Sequence, residues 1–307
     1  MANQTIDLYF SLLGLQINKF IQEQNKLNND TLLIIIKEHY KLGKCTEDEV
    51  LQLEVNNLNI ELQLQQLNDN KSDKENELKD FLRIIENENL VLVEPDLISL
   101  GIIEIEKAYN KALENSSFEI RQKEQMLKVQ SDLARTKSED NISFSLYATL
   151  GLSKSDADIK QSYKNPLNKE VVSLNFSIPI VDFGVRKNKI KQAQIRIDDT
   201  SLTLEQEKLN LKRDITNTVN KINALTNKIR LVQKTNELSF KRYEIAKTRY
   251  INGKIGFLEY SSAEYERDNS KMDYIEILKN IWSLYYELRQ KTLYDFKNNR
   301  EIDTSIF

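Results

Sequence analysis

Apolar residues along this chain follow two periods, and the change between them divides the sequence. From Ile142 to Leu152 they fall on every second position: Ile142, Phe144, Leu146, Ala148, Leu150 and Leu152 alternate with Ser143, Ser145, Tyr147, Thr149 and Gly151. Val172, Leu174, Phe176 and Ile178 alternate in the same way with Ser173, Asn175 and Ser177. A period of two predicts strands with one apolar face. The polar connection Ser153–Lys169, with Asp156, Asp158, Asn165 and Pro166, joins them as a hairpin. Each run has about nine to eleven residues, the length that crosses a bilayer when tilted. A hairpin laying its apolar face on a soluble core has the same pattern, and period alone does not separate the two.

Elsewhere the spacing is helical and the punctuation is sparse. Gly43 separates two helical stretches, and Pro95 closes the second after the run Leu90–Val93. A third stretch is predicted from about Asp96 to Lys137, bent near Asn115-Ser116-Ser117. After the second strand, Pro179, Asp182 and Gly184 form a junction. Proline cannot donate to a sheet ladder and glycine admits unusual dihedrals, so strand can turn into helix there. From Val185 to Ile251 there is neither Gly nor Pro, which predicts one helix of roughly 100 Å at 1.5 Å per residue. Leu202, Leu209, Ile215, Val219, Ile222 and Ile229 recur along it at the three-, four- and seven-residue steps of coiled-coil-like packing. The helix breaks at Asn252-Gly253-Lys254-Ile255-Gly256 and resumes from Phe257 to about Phe296. The tail Lys297–Phe307 is expected to fray.

Composition agrees with long solvated helices. The 307 residues include seven Gly and three Pro, with 30% charged and 40% hydrophobic residues, so helices run long and keep a wet face. A net charge of −3 with both signs interleaved leaves no electrostatic footprint for nucleic acid. Cys45 is alone and cannot form an internal disulfide. The one histidine, His39, reads as a helix-surface residue, and no metal site or cofactor is expected. No apolar run reaches the ~18–20 residues of a spanning helix, and MANQTIDLYF lacks the basic region and cleavage site of a secretory signal. No phosphate-cradling loop or paired nucleophile and base is present, and Asp198-Asp199 point apart on a helix, so no enzyme activity is expected.

The two main breaks repeat one another. Glu38-His39-Tyr40-Lys41-Leu42-Gly43-Lys44 and Thr248-Arg249-Tyr250-Ile251-Asn252-Gly253-Lys254 both read Tyr-x-x-Gly-Lys between long helices. Acidic residues follow each break, Glu47, Asp48 and Glu49 in one case and Glu259 and Glu264 in the other, which suits the helix dipole. Aligned on Tyr40 and Tyr250, Met1 falls opposite Leu211, inside the long helix. The order of elements, the strand exit Leu-Asn-Phe-Ser-Ile-Pro-Ile-Val-Asp-Phe-Gly ending at Gly184, Arg186-Lys187 after it, the segment Lys247–Glu264, and Leu8–Leu13 together resemble the outer-membrane efflux protein (TolC) family. The resemblance covers about Ile6 to Phe296.

It implies a mainly α fold of long antiparallel coiled-coil-like helices, forming an α-barrel tunnel, with one two-stranded transmembrane β-hairpin. Residues 1–93 would be a first-repeat tunnel helix pair, 94–114 an equatorial helix, and 115–140 an inward helix. The hairpin would occupy 141–181, the second-repeat pair 182–296, and a disordered tail 297–307. In length, Asn115–Asp140 and Phe257–Phe296 together come close to Val185–Ile251, as stacked helices matching one long helix would.

Family members are trimers giving four strands per subunit to a twelve-stranded barrel, and they work with a periplasmic membrane-fusion adaptor and an inner-membrane pump. The implied roles are lipid contact in the outer membrane for Ile142, Phe144, Leu146, Leu174, Phe176 and Ile178, and a strand-to-helix junction at Pro179, Asp182 and Gly184. Tyr40, Gly43, Lys44, Thr46, Tyr250, Gly253, Lys254 and Gly256 would form an adaptor-binding periplasmic tip. Some positions depart from the family pattern. Ser116 replaces a usual Pro, Glu139-Asp140-Asn141 replaces a strand-opening Pro, and Gly256 replaces a small hydroxyl residue that Thr46 keeps. One hairpin per subunit gives a trimer six strands, below the smallest barrels. The expectation is therefore an N-terminally truncated channel subunit. A soluble coiled-coil scaffold explains the charge and the long helices, but not the paired alternating strands.

Overall fold

A computed structural model describes residues 2–84, 89–98, 100–139, 143–153, 167–178 and 181–302. The expectations on Ile142 and Pro179, and most of the connection between the strands, lie outside these residues. The described elements are α1 (Ala2–Lys41), α2 (Glu47–Leu82), α3 (Ile105–Asn115), α4 (Phe118–Glu139), β1 (Ser143–Ser153), β2 (Leu167–Ser177), α5 (Val185–Ile251), α6 (Phe257–Thr292), β3 (Tyr294–Asp295) and β4 (Arg300–Glu301). The chain divides into two compact units, Met1–Ser116 with Lys212–Phe307, and Ser117–Leu211.

In the first unit α1 is a two-sided helix. Leu8 and Leu12 pack on Leu78 of α2, while Phe10 and Leu13 pack on Ile275 and Leu278 of α6. Ile229 of α5 meets Ile277 and Ile281 of α6. Residues three or four positions apart thus share one neighbour, and the two sets on α1 serve different ones, as helical spacing requires.

Residues 89–98 and 100–104 are not helical, and this corrects the predicted helix over 94–114: α3 begins only at Ile105. Distant side chains satisfy backbone groups of Leu90, Leu92 and Ile103 in this segment. The Gln16 amide donates to Leu90 O at 2.5 Å and accepts from Leu92 N at 3.0 Å. Asn223 treats Ile103 the same way, at 3.0 and 3.1 Å. Glu75, buried on α2, accepts from Leu90 N at 2.9 Å and pairs with Lys71 and Lys79. Burial works against its charge, but the Lys79, Leu90 and Lys71 contacts outweigh it and hold the carboxyl at about 2. With these polar groups met from outside, the segment buries Ile98, Leu100 and Ile103 without a helix.

The C-terminal end also differs from expectation. α6 stops at Thr292, capped by Leu293 in the left-handed region at φ 48°. β3 and β4 then pair antiparallel, so residues 297–302 are not frayed. Asp295 is the reason. Buried, it accepts from Tyr285 Oη at 2.5 Å and from the backbone of Lys297 and Asn298, each at 3.1 Å. With α4 at 22 residues and α6 at 36 against 67 for α5, the expected length match is also looser than the sequence suggested.

In the second unit α4 lies along the first part of α5, joined where buried Gln122 donates to Leu204 O at 2.9 Å. The heptad expectation divides along α5: Ile215, Val219, Ile222 and Ile229 are buried, whereas Leu202 and Leu209 are exposed. β1 and β2 form a two-stranded antiparallel sheet.

Candidate functional site

The hairpin register sorts its residues by chemistry. Phe144 opposes Phe176, Leu146 opposes Leu174 and Ala148 opposes Val172. On the other face Ser145 opposes Asn175 and Tyr147 opposes Ser173. Opposed residues share a face, so the register aligns the apolar halves of both strands. The apolar face is left open: Phe144 is 71% and Phe176 68% exposed, and Leu146 and Leu174 are similar. The segregation ends where Leu150 opposes Glu170 and Leu152 opposes Asn168. Both strands have 11 residues, about 36 Å of extended chain, which at a tilt of ~45° spans about 25 Å. Ile178 follows β2 as an exposed residue outside the strand.

The strand-to-helix junction is a local capping device. Asp182 Oδ1 accepts from Gly184 N at 3.1 Å and Oδ2 accepts from Arg186 N at 3.0 Å, closing the first turn of α5. These two backbone hydrogen bonds, from Gly184 and then Arg186, hold the Asp182 carboxyl below its usual range. Gly184 takes φ 84°, which disfavours a side chain.

In the first unit the two Tyr-x-x-Gly-Lys segments adopt one backbone. Gly43 and Gly253 both have φ 66°. Gly43 N bonds Tyr40 O and Lys44 N bonds His39 O, at 2.9 and 2.8 Å. Gly253 N bonds Tyr250 O and Lys254 N bonds Arg249 O, both at 2.9 Å. This paired pattern is the Schellman helix terminus, which needs a left-handed residue three places after the tyrosine. The repeat is thus a capping motif first.

The structure brings the two turns together. Leu32 and Ile36 of α1, Val50 and Leu53 of α2, Tyr243 and Tyr250 of α5, and Tyr260 of α6 form one buried cluster. Tyr250 stacks on Tyr260 with ring centres 5.1 Å apart and planes 10° off parallel. Lys44, Cys45 and Glu49 from one turn and Tyr250, Lys254 and Gly256 from the other line a shared cavity of about 240 Å³. The Tyr250 hydroxyl is buried without a hydrogen-bond partner among the described residues. Burial, and then the charge of Glu49, push the Tyr250 hydroxyl and the Cys45 thiol above their ordinary values. His39 is half-buried beside this cavity rather than free on the helix surface.

The predicted tip residues therefore differ in setting. Tyr250 is buried, whereas Tyr40, Gly43, Lys44, Thr46, Gly253, Lys254 and Gly256 are exposed. Thr46 caps α2 in a reciprocal box with Glu49. Gly256 caps α6 with no side-chain bond, and Glu49 Oε1 lies 3.5 Å from where its Cβ would be.

Behind the turns lies a polar layer that sequence reasoning did not single out. Arg267 pairs with Asp268 and stacks over the Tyr243 ring at 3.9 Å. Asn25 Nδ2 donates to Asp268 Oδ2 at 2.7 Å, and Lys247 Nζ to Asn28 Oδ1 at 2.7 Å. The available signal was Asn25 and Asn29, four residues apart and in helical step with Leu32 and Ile36. Tyr260 and Glu264 are spaced the same way.

Among the described residues no group of three or more His, Cys, Asp or Glu is placed to hold a metal ion. No described helix is long and apolar enough to cross a membrane.

Residues 108–290, more than half of the chain, match the sequence family described as outer membrane efflux protein. No curated protein matches the chain in sequence. Among solved structures, the chain is similar to a membrane protein from Pseudomonas aeruginosa, at 14% identity and TM-score 0.74, with 94% of this chain aligned to 67% of that one. It is also similar to the Campylobacter jejuni CmeC outer membrane channel, at 18% identity and TM-score 0.66, covering 99% of this chain and 63% of that one. For the outer membrane protein VceC from Vibrio cholerae the values are 15%, 0.66, 98% and 70%. The chain spans about two thirds of the length of these solved proteins, and the likeness establishes the fold.

Proposed function

The chain belongs to the outer membrane efflux protein family, and on that premise we propose that it is a subunit of a passive export channel in the outer membrane. That family consists of transport channels rather than enzymes, so what matters in this reading is which surfaces meet lipid, water and partners. The apolar face of β1 and β2, with Phe144, Leu146, Leu174 and Phe176, lies against lipid, and the face with Ser145, Asn175 and Ser173 lines water. Ile178 continues the lipid face beyond β2, and Ile142 is assigned the same role from the sequence. The subunit is one of three in a homotrimer, and its long helices build a tunnel wall in the periplasm. The exposed Leu202 and Leu209 then pack on neighbouring subunits.

The paired turns are the periplasmic tip, where Tyr40, Gly43, Lys44, Thr46, Gly253, Lys254 and Gly256 meet a membrane-fusion adaptor that links the channel to an inner-membrane pump. Tyr250 supports them from beneath. Opening separates the helix pairs that share the aromatic cluster, exchanging one set of contacts for another. At the other end of α5, Pro179, Asp182 and Gly184 turn the wall strand into the tunnel helix.

The observation that carries this reading is the hairpin register, which gathers the apolar side chains of both strands on one uncovered face. A soluble coiled-coil scaffold has no use for such a face. Envelope fractionation tests the proposal. The chain is expected in the outer-membrane fraction as a trimer that dissociates on heating; recovery in the soluble fraction without such a species overturns it.

A further inference from the structure

One buried carboxyl group in the polar layer has no ion-pair partner among the described residues. Glu264 is 6% exposed, and the Tyr260 hydroxyl donates to its Oε1 at 2.9 Å. That hydroxyl also lies 3.3 Å from Asn29 Oδ1 on α1. Tyr260 in turn stacks on Tyr250, so a short chain of contacts links the carboxyl to the second turn.

The surroundings offer Glu264 little charge compensation. α1 contributes the uncharged Asn25, Asn28 and Asn29 to this layer. α5 contributes Tyr243 and Lys247, and α6 itself Tyr260, Arg267 and Asp268. Arg267 is committed to Asp268 and Asn25, and Lys247 to Asn28. Cys45 of the first turn and Glu49 of α2 act on Tyr250 rather than on this carboxyl. Burial raises Glu264 to about 7, against the pull of Tyr260 and Arg267.

We infer that Glu264 is a proton-operated latch on the paired turns: protonated, it stays seated with Tyr260 between α1, α5 and α6, and ionised, it unseats Tyr260 and the Tyr250 ring stacked on it. Its bearing on transport rests on the reading of these turns as the channel's periplasmic tip. The packed arrangement binds the proton more tightly than an open one. It is therefore fully favoured below about 4.5, the exposed carboxyl's value. It loses ground as pH rises to about 7, and its disadvantage is constant above that. The gap between the two values limits the change in the packed-to-loosened ratio to about 300-fold.

Hydrogen–deuterium exchange of the full chain in detergent tests the latch. Peptides covering 25–36 and 243–260 are compared between wild type and Glu264→Gln at matched pH, so the intrinsic pH dependence of exchange cancels. Glutamine copies the protonated acid, so the wild-type to variant ratio of exchange rates should be near one at pH 4. It should rise at least tenfold by pH 8.5.

Tyr260→Phe removes the hydrogen bond that favours the charged carboxyl while keeping the ring, and should move the midpoint to higher pH. A merely structural role would change the exchange level and leave the midpoint unmoved. A ratio that stays flat with pH, or an unmoved midpoint in Tyr260→Phe, overturns the latch. Failure of the channel reading would appear separately, as absence from the outer-membrane fraction with the pH step intact.

Discussion

The two Tyr-x-x-Gly-Lys turns have the same backbone and opposite surroundings. Their glycines share φ 66° and their carbonyls are capped alike. Yet Tyr250 is 2% exposed in the aromatic cluster, while Tyr40 is 45% exposed. The helix that follows is capped by the Thr46–Glu49 box in one turn and by a bare Gly256 in the other. Local sequence therefore determines the turn, and tertiary context determines what the turn is used for. One copy presents its tyrosine outward, and the other uses it to hold four helices together.

Replacing the two tyrosines should separate these roles most strongly. Tyr250→Ala removes a buried stacked ring and should cost about 3–5 kcal/mol, whereas Tyr40→Ala should stay within about 0.5 kcal/mol. Urea unfolding of both variants measures the gap, and equal losses would mean the two copies are used alike. The glycines make the converse case. A Cβ at Gly43 or Gly253 meets nothing within 4 Å, so each Gly→Ala change should cost only the left-handed backbone penalty, about 1 kcal/mol. The two costs should match within ~0.5 kcal/mol; a clear inequality would break the backbone equivalence. The caps give the smallest effects. Thr46→Ala should lose about 1 kcal/mol, and Gly256→Ser should gain a few tenths, ~0.3 kcal/mol, by supplying the missing cap.

The same division between local and distant causes explains what could be read from the sequence. The hairpin was legible because alternation at Phe144–Leu152 and Val172–Phe176 is a local property that register preserves. The Tyr-x-x-Gly turns were legible because a Schellman terminus is written in consecutive residues. The uninterrupted α5 followed from the absence of breakers. The non-helical segment before α3 was not legible, since Gln16 and Asn223, far away in sequence, meet backbone groups of Leu90, Leu92 and Ile103. Nor was the C-terminal hairpin, which depends on Tyr285 and Asp295 meeting. The burial of Tyr250 but not Tyr40, and the seating of Glu264, depend on packing between α1, α5 and α6. Leu202 and Leu209 kept the heptad spacing but remain uncovered, because spacing says nothing about whether a neighbour is present.

The account's central claim is that the apolar face of the hairpin lies in lipid. Single cysteines, introduced in a Cys45→Ser background at 144, 145, 146, 147, 174 and 175 and labelled with a fluorophore, would be read in vesicles containing brominated lipid. The account predicts strong quenching at Phe144, Leu146 and Leu174 and weak quenching at Ser145, Tyr147 and Asn175. Uniformly weak quenching, or quenching that ignores the alternation, would contradict it.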